Sequence, residues 1–407
     1  MNLLWLYFIS STHYPKQHIK EGLSLQAAKF MIEKPPYSKG PLFLFMNKKI
    51  ILSFLNNAAS SDWENWRWQL KNLFTKTAKI SSLLAKDFSS PSINKILGIY
   101  PLAVTPYYLS LIGENIDADP IAAQCLPDAR EITLYQNYHD DPLQEETYMP
   151  VTGVIHRYPD RCLALVTESC AMHCRHCNRK RFWRRPANIS LKMRMKNIVH
   201  YLEQSTQIRE VIISGGDPLI YDDEQLEYIL RSLKNIPHVE ILRVGSRMPA
   251  TLPMRITKNL CRMLKGYRPL WFNTQFNTPA EITPDATRAC NLLQEAGIPV
   301  SSQSVLLKGV NDAEEELRSL FYGLQKISVR PYYLFHCEPV KGCGHFRTSI
   351  TAGLKIMESI QKNCSGLALP QYTADLPGKA GKIPLMGISP ALNREMKKHQ
   401  YFFDNFT

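Results

Sequence analysis

Six apolar, β-branched runs alternate with six segments of helical period between residues 162 and 361, and few architectures accept that order. The runs are CLALVT (162–167), VIISG (211–215), VEILRVG (239–245), PLWFNTQF (269–276), IPVSSQSVLL (298–307) and VRPYYLF (329–335). Helical periodicity fills about 190–205, 223–235, 256–266, 283–296, 312–325 and 349–361. From the second run onward, the unit repeats every thirty residues or so. Strand, helix and strand in repetition predict an α/β fold whose parallel strands are joined by right-handed crossovers. Six units point to a partial (β/α)6, TIM-like barrel ahead of a flat doubly wound sheet, although period alone does not separate the two. In such a barrel, functional groups collect at the C-terminal ends of the strands. CAMHCRHC follows directly on the first run, SGGDP ends the second and FHCE ends the sixth, so these residues are expected on one face.

Outside the repeat the signals are weaker. Residues 1–60 show no clear periodicity and read as a poorly defined leader, with Met46 an alternative start. SDWENWRWQLKNLF (61–74) reads as one helix with Trp63, Trp66 and Leu70 on a face. Short helices and Pro-bearing turns continue to residue 160. The expected organisation is a leader (1–60), a helical N-terminal region packing on the barrel (61–160), the barrel (161–365) and a C-terminal lysine loop and tail (366–407).

Composition narrows the partners and the compartment. The net charge of +13 favours anionic partners, or is simply a solvated basic surface. Among ten cysteines, one dense group stands out: Cys170, Cys174 and Cys177. That pattern suits a reducing compartment and one metal site, with the remaining cysteines as small buried hydrophobes. No segment reaches the roughly 20 apolar residues needed to span a bilayer. MNLLWLYFIS lacks the basic start of a signal peptide, so a cytoplasmic protein with no membrane partner is expected.

Three thiolates from one tight loop are an unusual set. Structural zinc takes four ligands, and catalytic zinc three plus water. A four-iron cluster with three protein ligands leaves one iron open to a substrate or cofactor. A zinc loop borrowing His176 is the alternative. In SGGDP, Gly215 and Gly216 would let a ligand approach the backbone, and Asp217 could accept a hydrogen bond from an ammonium. PGKAGKIP (377–384) carries Lys379 and Lys382 on a glycine-bearing loop, and a lysine can form a Schiff base with an aldehyde cofactor.

Placed after the first strand of a β/α repeat, the cysteine loop resembles that of the radical S-adenosylmethionine enzymes. From about Trp63 to Met386 the chain resembles the lysine 2,3-aminomutase family within them, through WENWRWQLKN, TPYYLSL, HRYPDR, CRHC, SGGD, EILRVGSRMP, QSVLLKGVND, VRPYY and GHFRT. The resemblance implies a radical SAM-type partial barrel and three cofactors: a 4Fe–4S cluster on Cys170, Cys174 and Cys177, S-adenosylmethionine on Gly215, Gly216 and Asp217, and pyridoxal phosphate (PLP). It implies Lys382 as the Schiff-base lysine, with Lys379 replacing a family glycine, and Arg161 as the PLP-phosphate ligand, assisted by Arg157. It implies Arg179 for the substrate carboxylate, and Glu338 and Asp375 for a cationic side-chain end. Lys180, Arg184 and Arg185 read as a solvated basic face.

Some positions depart from the family. HFNH becomes QFNT (275–278), a tyrosine before the second acid becomes Phe335, and a zinc-binding cysteine becomes Ala313. With no cysteine after Cys364, no structural zinc is expected, and the zinc-supported subunit pairing of relatives leaves the homo-oligomeric state open. The implied activity is an isomerase that converts L-lysine to β-lysine by radical amino migration, fed by a flavodoxin- or ferredoxin-type electron donor. Rivals are an aminomutase for arginine, ornithine or glutamate, a lysine isomerase serving elongation-factor modification, a radical RNA-modifying enzyme and a zinc-binding interaction protein.

Overall fold

In a computed structural model of the chain, residues 41–55, 58–133, 138–184 and 189–387 are described. The chain divides after Phe43 into two units. The first lies almost wholly outside the described residues, and the fold is that of the second.

Among the described residues, nine strands form one sheet in sequence order: β1 (Val154–Tyr158), β2 (Arg161–Thr167), β3 (Glu210–Gly215), β4 (Ile241–Gly245), β5 (Leu270–Thr274), β6 (Val300–Leu306), β7 (Arg330–His336), β8 (Gln371–Leu376) and β9 (Gly381–Pro384). The six runs became β2 to β7, and each is followed by a crossover helix, which makes a partial barrel. Strands β2 to β8 pair in parallel, while β1 and β9 add antiparallel hairpins at the two edges. The sheet therefore extends beyond 161–365 at both ends.

The crossover helices are built as their sequences require. Asp223–Lys234 begins with a reciprocal cap between Asp222 and Gln225. It buries Leu226, Ile229, Leu230 and Leu233 completely, at the spacing of one helical face. Each such side chain contributes about 1.5–3 kcal/mol of burial, and Leu230→Ala would cost about 2–5 kcal/mol.

Side chains bridge the gap between the sheet edges. Arg157 on β1 donates to the Leu376 and Gly378 carbonyls and to Asp375 Oδ1, which straps β1 to the β8–β9 turn. In the N-terminal region the expected single helix is two, Ser60–Trp63 and Trp66–Lys71, because the Asn65 side chain caps the second by accepting from Arg67 N and Trp68 N. The expected leader also contributes to the core. Its described part is helical over Pro41–Phe54, and Ile51 and Leu52 are buried with the barrel residues. Among the described residues no helix is long and apolar enough to cross a membrane.

Candidate functional site

A cavity of about 620 Å³ runs through the barrel interior, from Arg161 and Glu210 at the strand starts to the loops beyond the strand ends. It brings together all the residues expected at a site: Cys170, Cys174, Cys177, Gly215, Gly216, Asp217, Arg157, Arg161, Arg179, Glu338, Asp375 and Lys382.

At one end lie the three cysteines, all free thiols. Their loop is held by the N-terminal region: His173 N donates to Ala103 O at 2.8 Å and Arg175 N to Gln124 O at 2.8 Å. Arg175 is fully buried and makes a bidentate pair with Glu131 at 2.9 and 2.7 Å. Lys180 joins it, its Nζ 3.0 Å from Glu131 Oε2 and 2.9 Å from Arg175 O. Burial alone would raise the Glu131 carboxyl, but Lys180 and Arg175 hold it below the ordinary range. Lys180 is thus a buried strut under the cysteine loop, and the reading of it as solvated charge is corrected. Arg184, by contrast, is part-exposed and pairs with Asp140. Arg185 lies outside the described residues.

Burial, with help from the neighbouring thiols, raises Cys170 well above its usual range, and burial pushes Cys177 up to about 12. Buried thiolates need a compensating positive centre. His176 is buried and far below its usual range for the same reason, so it is neutral. Its Nε2 faces the amides of Asn277 and Gln275, each at 3.2 Å, so that nitrogen is occupied as a hydrogen-bond acceptor. The QFNT departure therefore has a local function: Gln275 meets His176, and Thr278 caps the short turn after it.

The glycines of SGGDP also make a close backbone contact. A Cβ on Gly215 (φ +132°) would lie 2.1 Å from Thr167 O, and one on Gly216 would lie 2.2 Å from Ser169 O. They let the β3 end pass against the backbone leading into the cysteine loop, and Gly216 N and Asp217 N donate to Thr167 O and Ser169 O. The Asp217 carboxylate accepts from Leu219 N at 3.1 Å and Arg247 N at 2.9 Å. Burial nevertheless raises it to about 6, against the hydrogen bond from Ser246.

The other end is built of charges. Lys382 Nζ on β9 lies 2.9 Å from Asp375 Oδ2, and faces the rings of Tyr158 at 5.5 Å and Phe335 at 5.7 Å. Burial would lower Lys382, but Asp375 raises it above its ordinary value. The side chain of Lys379 lies outside the described residues. Arg157 is engaged by Asp375 and two carbonyls, which makes it a strap as well as a cavity-lining cation. Arg161 stacks on Tyr158 at 3.9 Å and touches Asp160 at 2.7 Å, with a third of its side chain exposed. Glu338 is buried, and burial followed by the charge of Asp375 raises it to about 7.

Arg179 is already held by an acid on one edge of its guanidinium. Its Nε and Nη2 grip Glu145 at 2.6–3.1 Å, and Arg181 shares that carboxylate at 2.9 Å. Burial would raise Glu145, yet Arg179 and then Arg181 draw it down to about 2. Nη1 of Arg179 takes no part in this pair. Sequence reasoning misses Glu145, Arg247 and Tyr158; an arginine in GSRMP and a tyrosine in RYPDR give no motif of their own.

Comparison with known proteins agrees with this geometry. Residues 165–321 match the Radical SAM superfamily. The L-lysine 2,3-aminomutase of Clostridium subterminale is 44% identical over 332 residues, covering 81% of this chain and 80% of that protein. The L-lysine 2,3-aminomutase of Fusobacterium nucleatum is 40% identical over 87% of this chain and 83% of its own. The glutamate 2,3-aminomutase of Clostridioides difficile is 41% identical over 83% of this chain and 80% of its own. Overall identity is thus similar for relatives with two different substrates, and the choice rests on the cavity.

Proposed function

Because the chain belongs to the lysine 2,3-aminomutase family of radical S-adenosylmethionine enzymes, we propose that it is an isomerase that moves the 2-amino group of L-lysine to C3, giving β-lysine. The observation that carries the substrate choice is the pairing of Glu338 with Asp375 at the lysine end of the cavity. Two acids, one of them held up to about 7 by burial and its neighbour, suit a substrate whose side chain ends in a cation. Neither acid offers the side-chain carboxylate of glutamate a counter-charge.

The chain's residues fit the groups this chemistry requires. Three sulfur donors in one half-buried, cavity-lining loop suit a cluster with an open iron. Gly215 to Asp217, packed against that loop, would hold S-adenosylmethionine beside it. Arg161 would meet the phosphate of PLP, and Lys382 would hold its aldehyde carbon. The buried Tyr158 hydroxyl, with no partner among the described residues, is a further polar atom for a bound group to satisfy. When bound, these groups supply a carbon radical strong enough to take an unactivated hydrogen, and a π-system across which nitrogen shifts between adjacent carbons. A flavodoxin- or ferredoxin-type donor would supply the electron.

What the chain itself does is place and discharge. Asp375 Oδ2 lies where it can take a proton from Lys382 Nζ, which must be neutral to react. Once that proton has passed on to solvent, Asp375 is again a carboxylate, paired with Arg157 alone and open to a second cation, beside Glu338. Arg179, gripped by Glu145, has its unused edge for the substrate carboxylate. The barrel wall holds these groups together.

An anaerobic product assay on L-lysine, L-ornithine, L-arginine and L-glutamate tests this. β-Lysine should dominate; a different β-amino acid, with none from lysine, would overturn the substrate assignment. An RNA-modifying role would instead leave the reconstituted protein without the absorbance of lysine-bound PLP.

A further inference from the structure

Arg247 joins two loops that the sequence presents as separate motifs. Its Nη1 donates to Cys174 Sγ at 2.8 Å, while its backbone N–H donates to Asp217 Oδ2 at 2.9 Å. Through Nη2 the guanidinium reaches Glu281 Oε1 at 2.6 Å, Gln124 Oε1, and Tyr108 Oη at 3.4 Å. Glu281, Gln124 and Tyr108 are fully buried, and Arg247 nearly so. Nε is buried with no partner among the described residues, so one donor remains for a bound group.

A buried guanidinium is costly unless it is paired, and a pair of well-packed apolar residues would stabilise this position equally well. Packing alone does not explain a cation against a cysteine sulfur. A fixed positive charge and an N–H···S bond favour the more negative, reduced form of an iron–sulfur cluster, so they raise its potential. Arginine suits this because it stays charged and its planar fork fixes several partners at once.

We infer that Arg247 is a positioning residue of the radical-generating centre. It orients Cys174, raises the potential of the cluster that Cys174 would hold, and registers the cysteine loop against Gly215–Asp217. Glu281 is its anchor and counter-charge. The inference rests on the cysteines being cluster ligands, and the test keeps the two apart.

Wild type, R247M, R247K, E281Q and C174A are reconstituted anaerobically with iron and sulfide. Iron content is measured, the midpoint potential is followed by electron paramagnetic resonance, and the reduced spectrum is recorded with and without S-adenosylmethionine. R247M and R247K should carry wild-type iron, about four per chain, with midpoints shifted to more negative potential, further for Met than for Lys. E281Q keeps the arginine but loses its counter-charge, so its midpoint should move the opposite way. The spectral change on adding S-adenosylmethionine should weaken in R247M. Unshifted midpoints in R247K and E281Q overturn the inference, and these two decide it if R247M does not fold. Full iron retention in C174A would instead overturn the cluster assignment.

Discussion

At the cysteine end of the cavity three sulfur donors come from one loop of eight residues, Cys170–Cys177, whereas at the lysine end Arg157, Glu338, Asp375 and Lys382 come from separate strands and loops. The difference is also electrostatic. Burial pushes the Cys170 and Cys177 thiols up, so a bound positively charged group favours the thiolate state a cluster needs there. At the lysine end the charges satisfy one another, with Asp375 between Arg157 and Lys382. The first end is built to be completed by its ligand; the second must exchange partners to admit one.

The largest effects should separate the ends. Cys177→Ala should remove the iron and abolish turnover while leaving the absorbance of lysine-bound PLP; Lys382→Ala should do the reverse with the same loss of turnover. Measuring iron and absorbance on both variants checks this, and joint loss of the two signals would mean that the ends are not independent. Under the cysteine loop, Lys180→Met leaves Glu131 paired with Arg175 alone and takes the ammonium donor from the buried carbonyls of Arg175 and Gly342. It should cost about 1–3 kcal/mol in urea unfolding of the apoprotein, and a cost near zero would return Lys180 to solvated charge.

A pH test addresses the lysine end. Glu338 is raised from 4.5 to about 7, so the unfolded chain ionises it first and stability is lost as pH rises through that window. Glu338→Gln removes the penalty and should stabilise the apoprotein by up to about 3 kcal/mol at pH 8, with little effect at pH 4. Equal effects at both pH values would show an unperturbed carboxyl. In turnover, Glu338→Gln and Asp375→Asn should each raise KM for lysine by about 10–100-fold, read from initial rates. The smallest effect belongs to Arg184→Ala, on the part-exposed side of the basic run. Its thermal unfolding should show a change within about 0.5 kcal/mol.

The strand–helix repeat was legible because periodicity is local, and its six runs became β2 to β7. Strands β1, β8 and β9 were not, since they are short and lie outside the regular unit. The twelve site residues converged as their motifs implied, but several acquired unforeseen partners. Lys180 looked like surface charge because its acid, Glu131, lies 49 residues earlier, and Arg179 looked free because Glu145 lies 34 residues earlier. The sequence declares that a residue is charged; only the fold declares what neutralises it. Gly215 and Gly216 teach the same point in backbone terms, since the neighbour they accommodate is another strand end.

The position of Lys382 on the last strand has a consequence for biosynthesis. The cysteine loop leaves the ribosome about two hundred residues before Lys382 does, and β9 completes the sheet only after every parallel strand has been made. A nascent chain can thus present its sulfur ligands well before it has an amine to hold an aldehyde. The order of synthesis separates the two ends in time as the fold separates them in space.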